Sequence, residues 1–292
     1  MTKQSEKDIA VKTVCIAGAT GYLGRHLVRE YLDRGWQVRA LVRDRVKAAK
    51  SGLGGTLVEV QPTRAETLGV MAGADLVVSA LGITRQRDGL SYRDVDYQAN
   101  ANLLDAACAS GVGRFAYVHV LNAQTMRGVS LVEAKQAFVE RLRQTDIAAT
   151  VICPSGFFSD MEDFLNMARG GRVWIFGDGQ RRLNPIHGAD LASAAADAIE
   201  AGRVELPVGG PDVFTHEELA RLAFDTLERP MRLTRLPDGL RRAVLAILPY
   251  VTPAHVSGPA RFFLSAMGAD MVGERHGKRH LADHFRQMVN GD

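Results

Sequence analysis

The chain has 292 residues, 46% of them apolar and 24% charged, a balance suited to one or two globular domains whose core needs neither disulfides nor metal. Its formal charge is only +3, with a surplus of four positive charges over residues 221–292, which argues against the broad basic footprint of a nucleic-acid binder. Residues 1–10 lack the apolar core of a secretory signal, and no run reaches the ~18 apolar residues of a bilayer span. Cys15, Cys108 and Cys153 show no paired spacing, so the expectation is free thiols in a cytoplasmic protein.

From residue 12 the chain alternates short β-branched runs with amphipathic segments of helical length. Strands are predicted over 13–17, 37–42, 56–60, 76–80, 115–120 and 149–153, and helices over 22–34, 44–50, 65–71, 95–110 and 131–144. Apolar runs joined through helices imply βαβ units with right-handed crossovers, hence a doubly wound parallel α/β sheet. Past Phe157 the pattern becomes more helical: 187–201, a strand at 205–208, then a helix opening at Thr215, where Glu218 completes a capping box. The segments 240–248 and 259–267 also read as helices. The expected organisation is a nucleotide-binding core over residues 1–156, its sheet completed from 172–208, and a smaller, mostly helical part over 157–292.

Gly18-Ala19-Thr20-Gly21-Tyr22-Leu23-Gly24 follows the first strand and opens the first helix. Gly18 permits a tight turn, Gly21 admits a pyrophosphate to backbone N–H groups, and Gly24 allows close helix–strand packing. The helix N-terminus adds positive partial charge. This strand–loop–helix setting makes the motif a dinucleotide site, of the kind found in the Rossmann fold. At the end of the second strand, where Asp or Glu commonly holds a ribose 2′-hydroxyl, stands Arg43, with Arg45 and Lys47 behind it. A guanidinium there pairs with a 2′-phosphate, so NADP(H) is favoured, while Asp44 keeps NAD(H) open.

With these motifs, together with Val78-Ser79-Ala80-Leu81-Gly82, Val95-Asp96-Tyr97-Gln98-Ala99-Asn100, Asn102 through Ala107 and Asn184 through Ala192, the chain resembles the atypical short-chain dehydrogenase/reductase superfamily on its NmrA-like side. Within that group the pattern over 12–236 is similar to divinyl chlorophyllide reductases, photosystem assembly factors and the dehydrogenase-like accessory subunit of respiratory complex I. The resemblance implies cofactor contacts at Gln61, at Ala80, Leu81 and Gly82, and at Lys135, Pro154 and Phe157. It also implies a Tyr-x-x-x-Lys pair on one helix, in which the ammonium lowers the phenol pKa. Here Lys135 fits, but Leu131 stands at the tyrosine. Tyr117-Val118-His119-Val120-Leu121-Asn122 lacks the usual Ser/Thr, Cys153 replaces the arginine before Pro154, and Gln61 replaces an aspartate that contacts adenine.

Three residues remain as candidates for proton handling. Lys135 would hold the nicotinamide ribose and donate a proton, or it is an ordinary solvated lysine. His119 titrates near neutrality and is either acid/base or core, and Asn122 either orients a carbonyl or makes a turn. Cys153 lacks an identifiable base, Tyr92 and Tyr97 are more plausible as packing than as stand-ins for the phenol, and His276, His280 and His284 are too widely spaced to share one metal. The basic-then-apolar run 240–248, with Arg261-Phe262-Phe263-Leu264, reads as domain packing or as docking on a membrane surface or protein. With Phe157–Met167 it is the segment best placed to cover the nicotinamide end and select a small organic substrate. Two functions fit: an NADP(H)-dependent oxidoreductase, or a catalytically silent nucleotide-binding sensor or assembly factor.

Overall fold

In the computed structural model, which describes residues 11–67, 69–83 and 89–291, the apolar runs form one parallel sheet of eight strands. In chain order the strands are β1 Thr13–Ala17, β2 Gln37–Val42, β3 Thr56–Glu59, β4 Leu76–Ser79, β5 Arg114–Val118, β6 Ala148–Pro154, β7 Val173–Phe176, β8 Arg182–Leu183, β9 Glu205–Gly209, β10 Phe214–Thr215, β11 Leu233–Leu236 and β12 Glu274–Arg275. The main sheet runs β12-β9-β6-β5-β4-β1-β2-β3. Its order reverses between β1 and β4, with Val14 paired to Val38 on one side and Leu76 on the other. In doubly wound sheets that reversal opens a crevice at the carboxyl edge. Residues 1–10, read above against a secretory signal, lie outside the described residues.

The helices are α1 Tyr22–Asp33, α2 Arg45–Lys50, α3 Asn100–Ala109, α4 Ser130–Leu142, α5 Phe158–Arg169, α6 Gly188–Glu200, α7 His216–Thr226, α8 Asp238–Val251, α9 Ala254–Ala266 and α10 Leu281–Asn290. Strand alternation divides the core into two layers. Val14, Ile16, Val78, Ala116 and Ile152 pack with Leu27, Val28 and Tyr31 of α1 and Leu191, Ala195 and Ile199 of α6. Cys15, Val77, Phe115, Tyr117 and Val151 pack with Leu103 and Leu104 of α3 and Phe138, Val139 and Leu142 of α4. A sheet buried on both faces explains why its strands read as continuous apolar runs.

Several predicted boundaries need correction. The helix expected over 65–71 is two 3₁₀ turns, Ala65–Thr67 and Gly69–Met71, with Leu68 outside the described residues. The helix over 95–110 is a π-helical segment, Arg93–Ala99, running into α3. The strand over 115–120 ends at Val118, so His119 lies just beyond it. Of 172–208, only β9 joins the main sheet; β7 pairs instead with β11, and the far edge is closed by β12 from the C-terminal part.

Buried side chains tie that C-terminal part to the sheet. Asn184 is fully buried: its Nδ2 donates to the carbonyls of Gly210 and Gly273 at 3.1 and 3.0 Å, and its Oδ1 accepts from the Gly273 N–H at 2.9 Å. Asp190, on the first turn of α6, accepts the N–H groups of Lys278 and Arg279 at 3.0 and 2.9 Å and pairs with the Arg279 guanidinium. Asn184→Ala strands two carbonyls and one N–H in the interior, which should cost about 2–4 kcal/mol. Urea unfolding would show it as a lower midpoint at unchanged slope, and a loss below about 1 kcal/mol would mean that water replaces the amide.

Candidate functional site

The β1–α1 loop is shaped by backbone contacts that only glycine allows. Gly18 has φ +75°, and a Cβ there would stand 2.7 Å from the Ala80 carbonyl oxygen. A Cβ on Gly24 would lie 2.0 Å from the Gly18 carbonyl oxygen and 2.8 Å from the Ala19 Cα. The tightest contact of Gly24, expected between helix and strand, is with the loop itself. Gly21 caps α1 without a side-chain bond, and the first helical bond runs from the Arg25 N–H to the Gly21 carbonyl at 3.1 Å. The N–H groups of the first turn are therefore left for a ligand, with the helix dipole behind them. Ala19 and Leu23 are buried in the core, so they offer a ligand only backbone, whereas Thr20, Gly21 and Tyr22 are exposed. The Gly21 N–H is taken by the Gly18 carbonyl at 2.9 Å, so the N–H groups of the first turn of α1, held against the end of β4, make the cradle that fits a pyrophosphate.

Other predicted residues converge on the same edge. The Tyr22 hydroxyl accepts from the Gly188 N–H at 3.0 Å, and its ring meets Phe157 edge-on at 5.6 Å, joining the loop to the turn after Pro154 at the end of β6. Arg43, at the end of β2, is exposed, and its carbonyl accepts from Gln61 Nε2 at 3.5 Å. Asp44 is engaged as the N-cap of α2, accepting the Lys47 N–H at 2.8 Å. Ala80 is anchored by its N–H to the Ala17 carbonyl at 3.0 Å, which carries Leu81 and Gly82 over the crevice.

Lys135 is not a solvated lysine. It is 9% exposed, and its Nζ lies 3.2 Å from Asp96 Oδ1, 3.1 Å from the Val118 carbonyl and 3.4 Å from the Tyr117 hydroxyl. Asp96 is wholly buried, and burial pushes its carboxyl up while Lys135 pulls it down. Its other oxygen accepts the Ile83 N–H at 3.3 Å. Gly82 lies over the pair, since a Cβ there would meet Asp96 Oδ1 at 2.7 Å and Lys135 Nζ at 3.0 Å. Tyr117 is fully buried, and desolvation followed by the Asp96 charge raises its phenol well above the ordinary range. Sequence reasoning missed Asp96 and Tyr117 as site residues. The one available signal was a carboxylate between Val95 and Tyr97, inside the motif that carries the resemblance.

His119 continues the strand alternation onto the α4 side, where its Nε2 contacts Gln136 Oε1 at 3.1 Å and its buried Nδ1 has no partner. Burial, then Lys135, lowers its pKa to about 4, so the ring is neutral at physiological pH. Asn122 adopts the left-handed conformation at φ 52°, and its amide donates to the Asp270 carbonyl at 2.8 Å, a tie to the C-terminal part. Burial raises the Cys153 thiol to about 12, which makes it unsuited to attack. Leu131 is buried at the tyrosine position, and Tyr92 is 4% exposed beside α9. His276, His280 and His284 each face a separate carboxylate, Glu274, Asp212 and Glu162. Along α8, Ile247, Tyr250 and Val251 are 56%, 89% and 67% exposed. No described helix is long and apolar enough to cross a membrane.

Residues 18–201 match a family described as NAD(P)H-binding. The chain is 26% identical over 274 residues to NADH dehydrogenase (ubiquinone) 1 alpha subcomplex subunit 9 of Arabidopsis thaliana, covering 87% of this chain and 68% of that protein. It is 28% identical over 246 residues to the photosystem II assembly factor Ycf39 of Guillardia theta, covering 82% and 77%. It is 30% identical over 266 residues to the divinyl chlorophyllide a 8-vinyl-reductase of Zea mays, covering 81% of this chain and 64% of that one. Among solved structures, the NADPH-dependent quinone oxidoreductase of Escherichia coli, complexed with NADPH, shares the fold with a TM-score of 0.75 at 19% identity, over 95% of this chain and 100% of that one.

Two predictions test whether these buried groups are structural. Lys135→Met leaves Asp96 unpaired and should cost about 3–5 kcal/mol, whereas Lys135→Met with Asp96→Asn should recover more than half of it; additive losses in denaturant unfolding would exclude the coupling. The depressed His119 pKa means that the neutral ring contributes stability fully present above about pH 6.5 and lost as pH falls toward about 4. The stability gap between the wild type and His119→Gln should therefore shrink by on the order of 2 kcal/mol between neutral pH and about pH 5. A gap that does not change with pH would show that His119 titrates normally.

Proposed function

The chain belongs to the NAD(P)H-binding family, and from that premise we propose that it is an NADP(H)-dependent oxidoreductase acting on a small organic substrate. The observation that carries this reading is the glycine cradle at the β1/β4 crevice, with Arg43 on the neighbouring strand end. A nicotinamide dinucleotide held there supplies a hydride donor or acceptor. Backbone N–H groups of the loop would take the pyrophosphate, and Arg43 the 2′-phosphate. Asp44 spends one carboxylate oxygen on capping α2, and the preference for NADP(H) over NAD(H) rests on Arg43 beside it. Lys135 acts as a positioning residue: its ammonium donates to the Val118 carbonyl and the Tyr117 hydroxyl and lies 3.2 Å from Asp96 Oδ1, and the pair supports Gly82 at the crevice. His119 contributes a neutral ring behind it. With Asn122 engaged by Asp270, this set favours substrates whose reduced form takes its proton from water. The free, largely buried cysteines suit a reducing, cytoplasmic setting.

The bare apolar side of α8 favours a second reading, in which the bound nucleotide is structural and the protein docks on a protein or membrane surface. The Guillardia relative is an assembly factor by name, and the Zea mays relative a reductase. Titration with NADPH and NADH separates the claims. Arg43→Ala should weaken NADPH binding about 10–100-fold and NADH binding little, the strength of a charge-assisted pair. Equal losses would remove the 2′-phosphate role. NADPH that binds but is not oxidised across quinone, alkene and carbonyl acceptors would move the assignment to the docking protein.

A further inference from the structure

A cavity of about 380 Å³ lies where three elements meet: the start of the π-helical segment at Tyr92 and Arg93, the first turns of α4 at Ser130, Glu133 and Ala134, and one face of α9. We propose that this cavity is the substrate subsite and that Arg261 of α9 anchors there a monoanionic, carboxylate-bearing organic molecule. The proposal deepens the oxidoreductase reading by naming the class of substrate.

Arg261 lines the cavity, half-buried, and its Nε is sealed from solvent with no hydrogen-bond acceptor. No carboxylate pairs with it among the described residues. A half-buried guanidinium without an acceptor is costly, and guanidinium planes match carboxylates with two parallel bonds. Ser130, on the first turn of α4, lines the same cavity and adds a hydroxyl to its polar wall.

The charge balance selects one negative charge. Arg93, stacked over Tyr97 at 5.0 Å, and Arg261 face Glu133, whose carboxylate accepts the Gly128 N–H at 3.1 Å. The lining thus carries one surplus positive charge, and a dianion would also meet Glu133. Asp94, held by the Ser91 hydroxyl at 2.6 Å, does not line the space. The organic body has a wall as well. Tyr92 lies against the backbone of Gly258, where a Cβ would meet its hydroxyl at 2.6 Å. Ala134, on the cavity wall, immediately precedes Lys135, so a molecule held by Arg261 lies beside the helix that supports the crevice.

The test is calorimetric titration of the full chain with benzoate, with benzyl alcohol and phenyl phosphate as comparators. Benzoate should bind with a Kd of about a millimolar, benzyl alcohol should not, and phenyl phosphate should bind more weakly. Arg261→Gln should weaken benzoate about tenfold or more, Arg261→Lys less, and Arg242→Gln on exposed α8 not at all. Circular dichroism melts of both Arg261 variants would separate lost binding from lost folding, the lysine variant deciding if the glutamine variant unfolds. Benzoate that fails to bind the wild type, or binds Arg261→Gln equally, overturns the subsite; tighter phenyl phosphate overturns the carboxylate assignment. NADPH titrated separately keeps the two readings apart. A chain that binds benzoate through Arg261 but no NADPH loses the oxidoreductase reading and keeps the anion site. A chain that binds NADPH but no benzoate loses only the anion site.

Discussion

The buried ion pair between Lys135 and Asp96 constrains the rest of the site. A carboxylate taken fully out of water is tolerated only with a cation and donors at hand, so α4 must place Lys135 against the π-helical segment. Around that pair the structure closes in order. The Asn100 amide donates to the Asp96 carbonyl at 3.0 Å, and Ser79 at the end of β4 donates to Asn100 Oδ1 at 2.5 Å. Gly82 can carry no side chain, and Tyr117 takes its place under the ammonium. Buried pairs of this kind add little net stability, yet losing one partner is expensive, so the pair fixes an arrangement more than it strengthens the fold.

That arrangement changes what the missing tyrosine means. A free lysine beside an empty phenol position would suggest a damaged proton relay. Here the lysine is anchored at Asp96, Val118 and Tyr117, and the phenol nearest to it belongs to a strand, sealed and hard to ionise. The crevice is thus built around position and field, with the glycine loop offering N–H groups and Arg43 its charge.

Residue type alone made the glycine loop legible, because a backbone approach that excludes Cβ leaves glycine as the only solution at Gly18 and Gly24. The parallel sheet was legible for a similar reason: burial on both faces writes itself as unbroken apolar runs. The ion pair was not, since Asp96 and Lys135 belong to separate elements and no spacing rule joins them. Asn184 and Asp190 stood out through resemblance, but their work is to satisfy backbone groups of residues 273–279, a contact across the chain that no local pattern encodes. The break at 65–71 and the π-helical start of α3 are tertiary adjustments that periodicity does not register.

The C-terminal part is fastened in a way that leaves its outer helices lightly committed. Asn184, Asp190 and Asn122 hold its connecting backbone by hydrogen bonds, so its attachment to the core does not depend on a large apolar interface at α8 and α9. Arg241 is the one buried residue of α8, donating to Asp238 at 2.6 Å and to the Leu264 carbonyl at 3.0 Å, which joins the two helices through polar bonds. Apolar side chains left in water at Ile247, Tyr250 and Val251 therefore add little to folding. One side of α9 walls the cavity beside α4 while Phe263 is exposed on the same helix, so whatever contacts the outer surface shares an element with the cavity wall. Occupancy of the cavity and contact at the outer face would then bear on opposite sides of a single helix that polar bonds, more than apolar burial, hold in place.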